Sequence, residues 1–61
     1  MHIFKDDKFE RKNPILGEKM IYTYTGTLRE VKGVNFYFFT DENNQTSFWT
    51  PSEVETEFTK L

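Results

Sequence analysis

Val34-Asn35-Phe36-Tyr37-Phe38-Phe39-Thr40, residues 34 to 40, is the stretch whose reading decides the fold. Aromatic and β-branched side chains fit a pleated, half-buried surface, so this run predicts a strand. Alternation places Val34, Phe36, Phe38 and Thr40 on one face and Asn35, Tyr37, Phe39 and Asp41 on the other. Both faces are therefore aromatic, and one interior can take only one of them.

Immediately upstream, Lys32-Gly33 is a tight-turn signal, and Lys19 to Val31 alternates as a long strand. Its Met20, Tyr22, Tyr24 and Leu28 share one face, with Ile21, Thr23, Thr25, Thr27, Arg29 and Val31 on the other. Gly26 interrupts it, which predicts a bend or bulge. Downstream, Asp41-Glu42-Asn43-Asn44-Gln45 reads as a hairpin loop, because Asx residues tolerate left-handed backbone and cap their own turns. Thr46 to Thr50 is the next strand, with Phe48 opposed to Ser47 and Trp49, and Pro51 ends it because it cannot donate to a ladder. Ser52 to Val54 predicts one helical turn capped by Ser52, and Val54 to Phe58 a last short strand. At the other end, His2 to Lys5 reads as a short first strand. Asp6 to Glu18 follows as a loop, marked by Asn13-Pro14 and Gly17 and folded onto the strands by Phe9, Ile15 and Leu16.

These elements predict an all-β fold, a small five-stranded antiparallel barrel of one domain spanning residues 1 to 61. The face assignment puts Val34, Phe36 and Phe38 in the core with Met20, Tyr22, Leu28 and Phe48. Tyr37, Phe39 and Trp49 then lie on the opposite face, with Tyr24 near the Gly26 bend. Either the loop carrying Phe9, Ile15 and Leu16 covers them, or they form an exposed aromatic patch.

At 61 residues the chain is near the lower size limit for independent folding, and it has no cysteine to staple it. Its eleven aromatic residues are the compensation, since each buries about 150 to 250 Å². With one histidine, His2, and no cysteine, a structural zinc site lacks its usual ligands, and no cofactor is expected. No segment has the roughly 20 apolar residues that cross a bilayer, and the first residues lack a signal-peptide run. A soluble cytoplasmic protein is the expectation.

The net charge of −2 hides an asymmetry. Residues 1 to 32 hold seven Lys or Arg against five Asp or Glu, and residues 33 to 61 hold one against five. Interleaved strands should mix much of this difference away, leaving Glu53, Glu55 and Glu57 on one strand face as the clearest single-sign feature. Enzymatic chemistry is not expected. The single imidazole sits at the N-terminus, and the carboxylate pairs Asp6 with Asp7 and Glu53 with Glu55 belong to a barrel too small for a pocket that shifts their pKa.

The order of short strand, long loop, bent strand, tight turn, strand, hairpin, strand, helical turn and last strand resembles the SH3-like barrel. Pro51-Ser52-Glu53-Val54-Glu55 resembles the Pro-Ser-Asn-Tyr-Val segment of the 3₁₀ turn in SH3 domains. On that resemblance residues 6 to 18 take the place of the long loop, and Asp41 to Gln45 that of the distal loop. The chain departs from the family where peptide binding resides. The tyrosine of the 3₁₀ motif is absent, no Ala-Leu-Tyr-Asp-Tyr segment precedes the loop, and Trp49 stands beside Pro51 in a later strand. The resemblance thus implies the fold without proline-rich peptide binding. It is similar in type to the small barrels of short phage and bacterial proteins.

The function expected is non-enzymatic binding of a protein partner, as in a phage-encoded modulator of a host factor. Tyr24, Tyr37, Phe39 and Trp49 with Glu53 and Glu55 are the candidate contact residues, since tyrosine and tryptophan dominate protein-binding hot spots. The alternative is single-stranded nucleic-acid binding by the same aromatics with Lys5, Arg11 and Lys12. Overall acidity favours the protein partner, because nucleic-acid affinity depends on neutralising phosphates. Oligomeric state is left open.

Overall fold

The computed structural model describes residues 2–61. In chain order the elements are β1 (Lys8–Lys12), β2 (Lys19–Val31), β3 (Val34–Asp41), β4 (Thr46–Trp49), the helix α1 (Pro51–Glu57) and β5 (Phe58–Lys60). The strands form one antiparallel sheet in the order β4-β3-β2-β1-β5. The all-β expectation with five strands therefore holds. Among the described residues no helix is long and apolar enough to cross a membrane.

The turns follow their local chemistry. Lys32 and Gly33 both have positive φ, 52° and 81°, and join Val31 directly to its partner Val34. That is the pattern of a two-residue hairpin turn whose twist matches its strands. At the β3–β4 turn, Asp41 Oδ1 accepts the backbone N–H groups of Asn43 and Gln45 at 2.8 and 3.0 Å, while Asn44 takes φ 62°.

Gly26 marks the expected irregularity: the β2–β3 register shifts between Tyr24 and Leu28. Here the N-terminal segment lies along β2, with the Asp6 N–H donating to the Tyr24 carbonyl and the Tyr24 N–H to that of Asp7, both at 2.9 Å. Gly26 has φ 89°, and a Cβ on it would stand 3.2 Å from Cβ and Cγ of Lys5. The conformation thus favours glycine, and a side chain there would have to displace Lys5 by a few tenths of an ångström.

Three sequence expectations are corrected. His2 to Lys5 forms no strand; β1 comes instead from Lys8–Lys12, inside the stretch read as loop, where Phe9 pairs with Tyr22 on one side and Lys60 on the other. A buried phenylalanine between charged residues serves a strand with one wet face as well as it serves a folded loop. The remaining turn leaves Ile15 and Leu16 exposed, at 90% and 69%, so they cover no aromatic residue. Before the last strand stands an α-helix of seven residues rather than a 3₁₀ turn, and its N-cap is Thr50, not Ser52. Thr50 and Glu53 form a capping box: the Glu53 N–H donates to Thr50 Oγ1 at 3.3 Å, and Glu53 Oε1 accepts the Thr50 N–H at 3.0 Å.

The third correction concerns the core. Phe9, Tyr22, Tyr24, Phe39, Val54 and Phe58 are buried, with Ile3, Met20, Tyr37 and Trp49 packed against them. Of the core expected, Tyr22 is buried and Met20 packs against it, Val34, Phe36, Phe38 and Phe48 lie on the opposite face, and Leu28, on the Tyr37 side beyond the bulge, is 50% exposed. Register explains this. Because Val31 sits beside Val34, Leu28 falls opposite Tyr37 and Arg29 opposite Phe36, and beyond the bulge Tyr24 falls opposite Phe39. The Tyr22 and Tyr24 side of β2 therefore shares its face with Tyr37 and Phe39, not with Phe36 and Phe38.

The sheet curls until rings from its two edge strands meet. Trp49 of β4 and Phe58 of β5 have centroids 5.3 Å apart, although among the described residues no strand pairing joins β4 to β5. Arg11 of β1 straps this seam: its guanidinium lies 4.6 Å from the Trp49 ring centroid, and its Nε and Nη2 donate to Glu57 Oε1 at 3.0 and 2.8 Å. Val54 on α1 closes the interior as a buried residue.

Candidate functional site: an exposed aromatic sheet face

The residues expected to bind a partner lie elsewhere than on an open patch. Phe39 is fully buried and Tyr24 nearly so, and Tyr37 packs edge-on against Tyr24 with centroids 5.5 Å apart. A partner reaches neither Phe39 nor Tyr24 while the chain is folded. Trp49 is half-buried beneath Arg11, and its indole N–H donates to Ser47 Oγ at 3.0 Å. Of the acidic residues, Glu53 is occupied in the capping box and Glu57 in the pair with Arg11. Glu55 is exposed and falls on a different side of α1, so the three glutamates form no single strand face. The structure brings Tyr24, Tyr37, Phe39 and Trp49 together, but as core.

The carboxylates considered for acid–base work are structural or unpaired. Asp7 Oδ2 accepts the Phe4 N–H at 2.9 Å and stands 3.3 Å from Lys60 Nζ. That backbone hydrogen bond first, and Lys60 second, hold its carboxyl below the ordinary 3.8. A general acid at neutral pH needs the opposite shift. Among the described residues there is no enclosed cavity, and no three Asp, Glu or His side chains stand close enough to share a metal ion.

What the sheet leaves open is its other face. Phe38 of β3 is paired with Phe48 of β4, and the rings lie 5.9 Å apart. Phe36 meets Phe48 edge-to-face at 5.4 Å and 90°. Phe48 is 60% exposed, and the adjoining pair Val31 and Val34 is 53% and 44% exposed. These five side chains continue one another along the β2–β3 hairpin and across to β4. A contiguous apolar strip of this kind is unusual on a small domain with no use for it.

Charge accompanies the strip. Strand parity assigns Lys8, Glu10, Lys12, Lys19, Arg29 and the Phe36 row to this outer face. Four cations therefore face out against one acid, a balance of +3. The remainder of the chain carries four cations against nine acids, a balance of −5. Arg29 stands directly opposite Phe36. Lys8 reaches across to donate from Nζ to Thr23 Oγ1 at 3.0 Å, and Thr23 is opposite Thr40, two residues along β3 from Phe38. Glu10 is taken up by Lys19, whose Nζ lies 3.6 Å from its Oε1. The cations thus gather on the outer sheet face, while the excess of acids lies in the turns and on α1.

Sequence reasoning placed Phe36, Phe38 and Phe48 in the core, whereas they line the outer face, Phe48 exposed and Phe36 and Phe38 half-buried, yet the signal was present. A two-residue turn at Lys32-Gly33 fixes which face of β2 meets which face of β3. No protein-family model, no curated protein and no solved structure matches this chain.

Proposed function

We propose that the chain is a non-enzymatic binding module that engages a protein partner through the outer face of its sheet, with Phe48 at the centre of contact. The observation that carries the reading is the apolar strip on which Phe48, Val31 and Val34 are exposed and Phe36 and Phe38 are half-buried against Phe48. Aromatic anchors with an adjoining arginine are the composition of interface centres, and Arg29 supplies the arginine.

An SH3-like barrel is the fold proposed for the module. Support comes from the strand order, in which β5 returns beside β1, from the bend at Gly26, and from the ring contact between Trp49 and Phe58 at the two sheet edges. The proposed setting is the cytoplasm, on the ground that a cysteine-free chain folds without an oxidising compartment. A phage or bacterial protein that modulates a host factor is the kind of molecule this reading describes.

The second reading, single-stranded nucleic-acid binding, gains from the +3 balance of the outer face. It loses on ring geometry. Base stacking needs free aromatic faces, whereas Phe36 and Phe38 both turn onto Phe48. Val31 and Val34 extend the strip with aliphatic groups that bases do not stack on.

The test is capture from a lysate of the source organism by the immobilised chain and by its Phe48→Ala and Phe36→Ala variants, each first shown to be folded by circular dichroism. A protein retained by the parent and lost from both variants supports the reading. Identical retention by all three sinks it.

A further inference from the structure

We infer that the partner docking on the outer face is an acidic protein segment that carries apolar anchor side chains. This inference rests on the docking surface proposed above and goes further by specifying the chemistry of the occupant.

Charge complementarity carries it. A chain with net charge −2 has no general attraction for acidic partners, yet among its strand residues the outer sheet face holds Lys8, Lys12, Lys19 and Arg29 against Glu10, with Glu42 in the β3–β4 turn taken up by the Ile21 N–H at 3.4 Å. Glu10 is already paired with Lys19, so Lys8, Lys12 and Arg29 face out with no carboxylate partner among the ion pairs of the described residues. Arg29 and Lys8 both lie along the β2–β1 side of the apolar strip. Arg29 stands opposite Phe36 at the hairpin side, while Lys8 lies at the Thr23–Thr40 row beyond Phe38. A segment crossing the strip in extended form would lay apolar side chains on Phe36, Phe38 and Phe48 and bring its acidic groups to the cations on the β2–β1 side.

The same charges argue against a second copy of the chain meeting face to face. That arrangement is isologous and would set Lys8 and Arg29 of one molecule against the same cations of the other. Like-charge juxtaposition of this kind costs affinity and suppresses the wrong partner. A head-to-tail contact, outer face onto the acidic helix side, would not close and would appear as concentration-dependent growth in sedimentation.

The inference is tested on the isotope-labelled full chain by amide chemical-shift titration with three probes: a short synthetic peptide alternating glutamate with leucine and phenylalanine, its lysine counterpart, and a thymidine oligonucleotide. The expected result is shift changes at Arg29, Phe36, Phe38 and Phe48 with the glutamate peptide alone. The apparent affinity should fall at least about tenfold on raising salt from well below to well above physiological strength. Charge reversal in the double variant Lys8→Glu, Arg29→Glu should cause a loss of the same size, with the strip intact. Equal shifts from both peptides would overturn the acidic preference and leave the docking surface standing. Shifts from the oligonucleotide alone would overturn the protein partner in favour of nucleic acid. No shift from any probe would overturn the inference, while the lysate comparison of Phe48→Ala would still judge the surface by itself.

Discussion

Phe39 and Phe38 are neighbours in the same strand and the same residue type, yet one is sealed in the core and the other belongs to an exposed strip. The inner cluster is closed from several directions. Phe39 touches Phe9 of β1, Tyr22 and Tyr24 of β2, and Phe58 of β5, with ring centroids between 5.0 and 6.5 Å. The outer cluster is local. Phe36, Phe38 and Phe48 touch one another across two adjacent strands, and Phe48 remains 60% exposed. Long-range aromatic contact marks the residues that hold a small fold together. Short-range contact on an open face marks residues the fold does not require.

The largest expected effect comes from cutting the inner cluster. Phe39→Ala should destabilise the chain by about 3–5 kcal/mol, which takes most of the stability available to so small a domain. Phe48→Ala, the same deletion on the outer face, should cost about 1 kcal/mol or less. Urea unfolding followed by tryptophan fluorescence reads both. Similar losses for the two would break the contrast and return Phe48 to the core.

Next is the bend that lets β2 serve both ends of the sheet. Gly26→Ala should cost about 1–2 kcal/mol, because alanine is strained at φ 89° and its Cβ crowds Lys5. Thermal unfolding measures it, and a neutral result would show that the bend relaxes. A similar loss, about 1 kcal/mol, is expected for Thr50→Ala, which opens the capping box with Glu53. Glu53→Gln should be milder, since an amide oxygen can still accept the Thr50 N–H.

The smallest effect is a pH dependence specific to the inner cluster. Desolvation, with a lesser contribution from Tyr37, raises the Tyr24 phenol above its ordinary value of 10.0. The folded chain therefore holds this proton more tightly than the unfolded chain. Its contribution is complete below pH 10 and is lost as pH rises toward the higher folded value. Tyr24→Phe should flatten that part of the alkaline limb in a series of urea midpoints. An unchanged limb would mean that the phenol reaches water.

The strands β2 and β3, their turns and the Gly26 irregularity were legible because each rests on local chemistry: alternation, Asx and Gly turn residues, and a glycine within a strand. Strand β1 was not. Its Lys8-Phe9-Glu10-Arg11-Lys12 has a single apolar residue and reads as polar loop until β2 and β5 are seen on either side. The candidate site was half legible. The sequence states that β3 is aromatic on both faces and that one must be outside. Carried through the two-residue turn, it also states that Leu28 shares a face with Tyr37 and Arg29 with Phe36, as far as the Gly26 irregularity.

By itself, then, the sequence determined the strands of the central hairpins, the turns between them and the pairing of Leu28 with Tyr37 and Arg29 with Phe36, because backbone geometry propagates register from a turn as far as the first irregularity, here at Gly26. Only the tertiary structure decided which of the two aromatic faces is the interior. That choice depends on Phe9 from β1, Val54 from α1 and Phe58 from β5, residues far apart in the chain whose side chains meet only when the sheet curls and the helix closes over it. The same folding step gathered four of the eight cations beside one acid on the outer face, which composition along the chain does not encode.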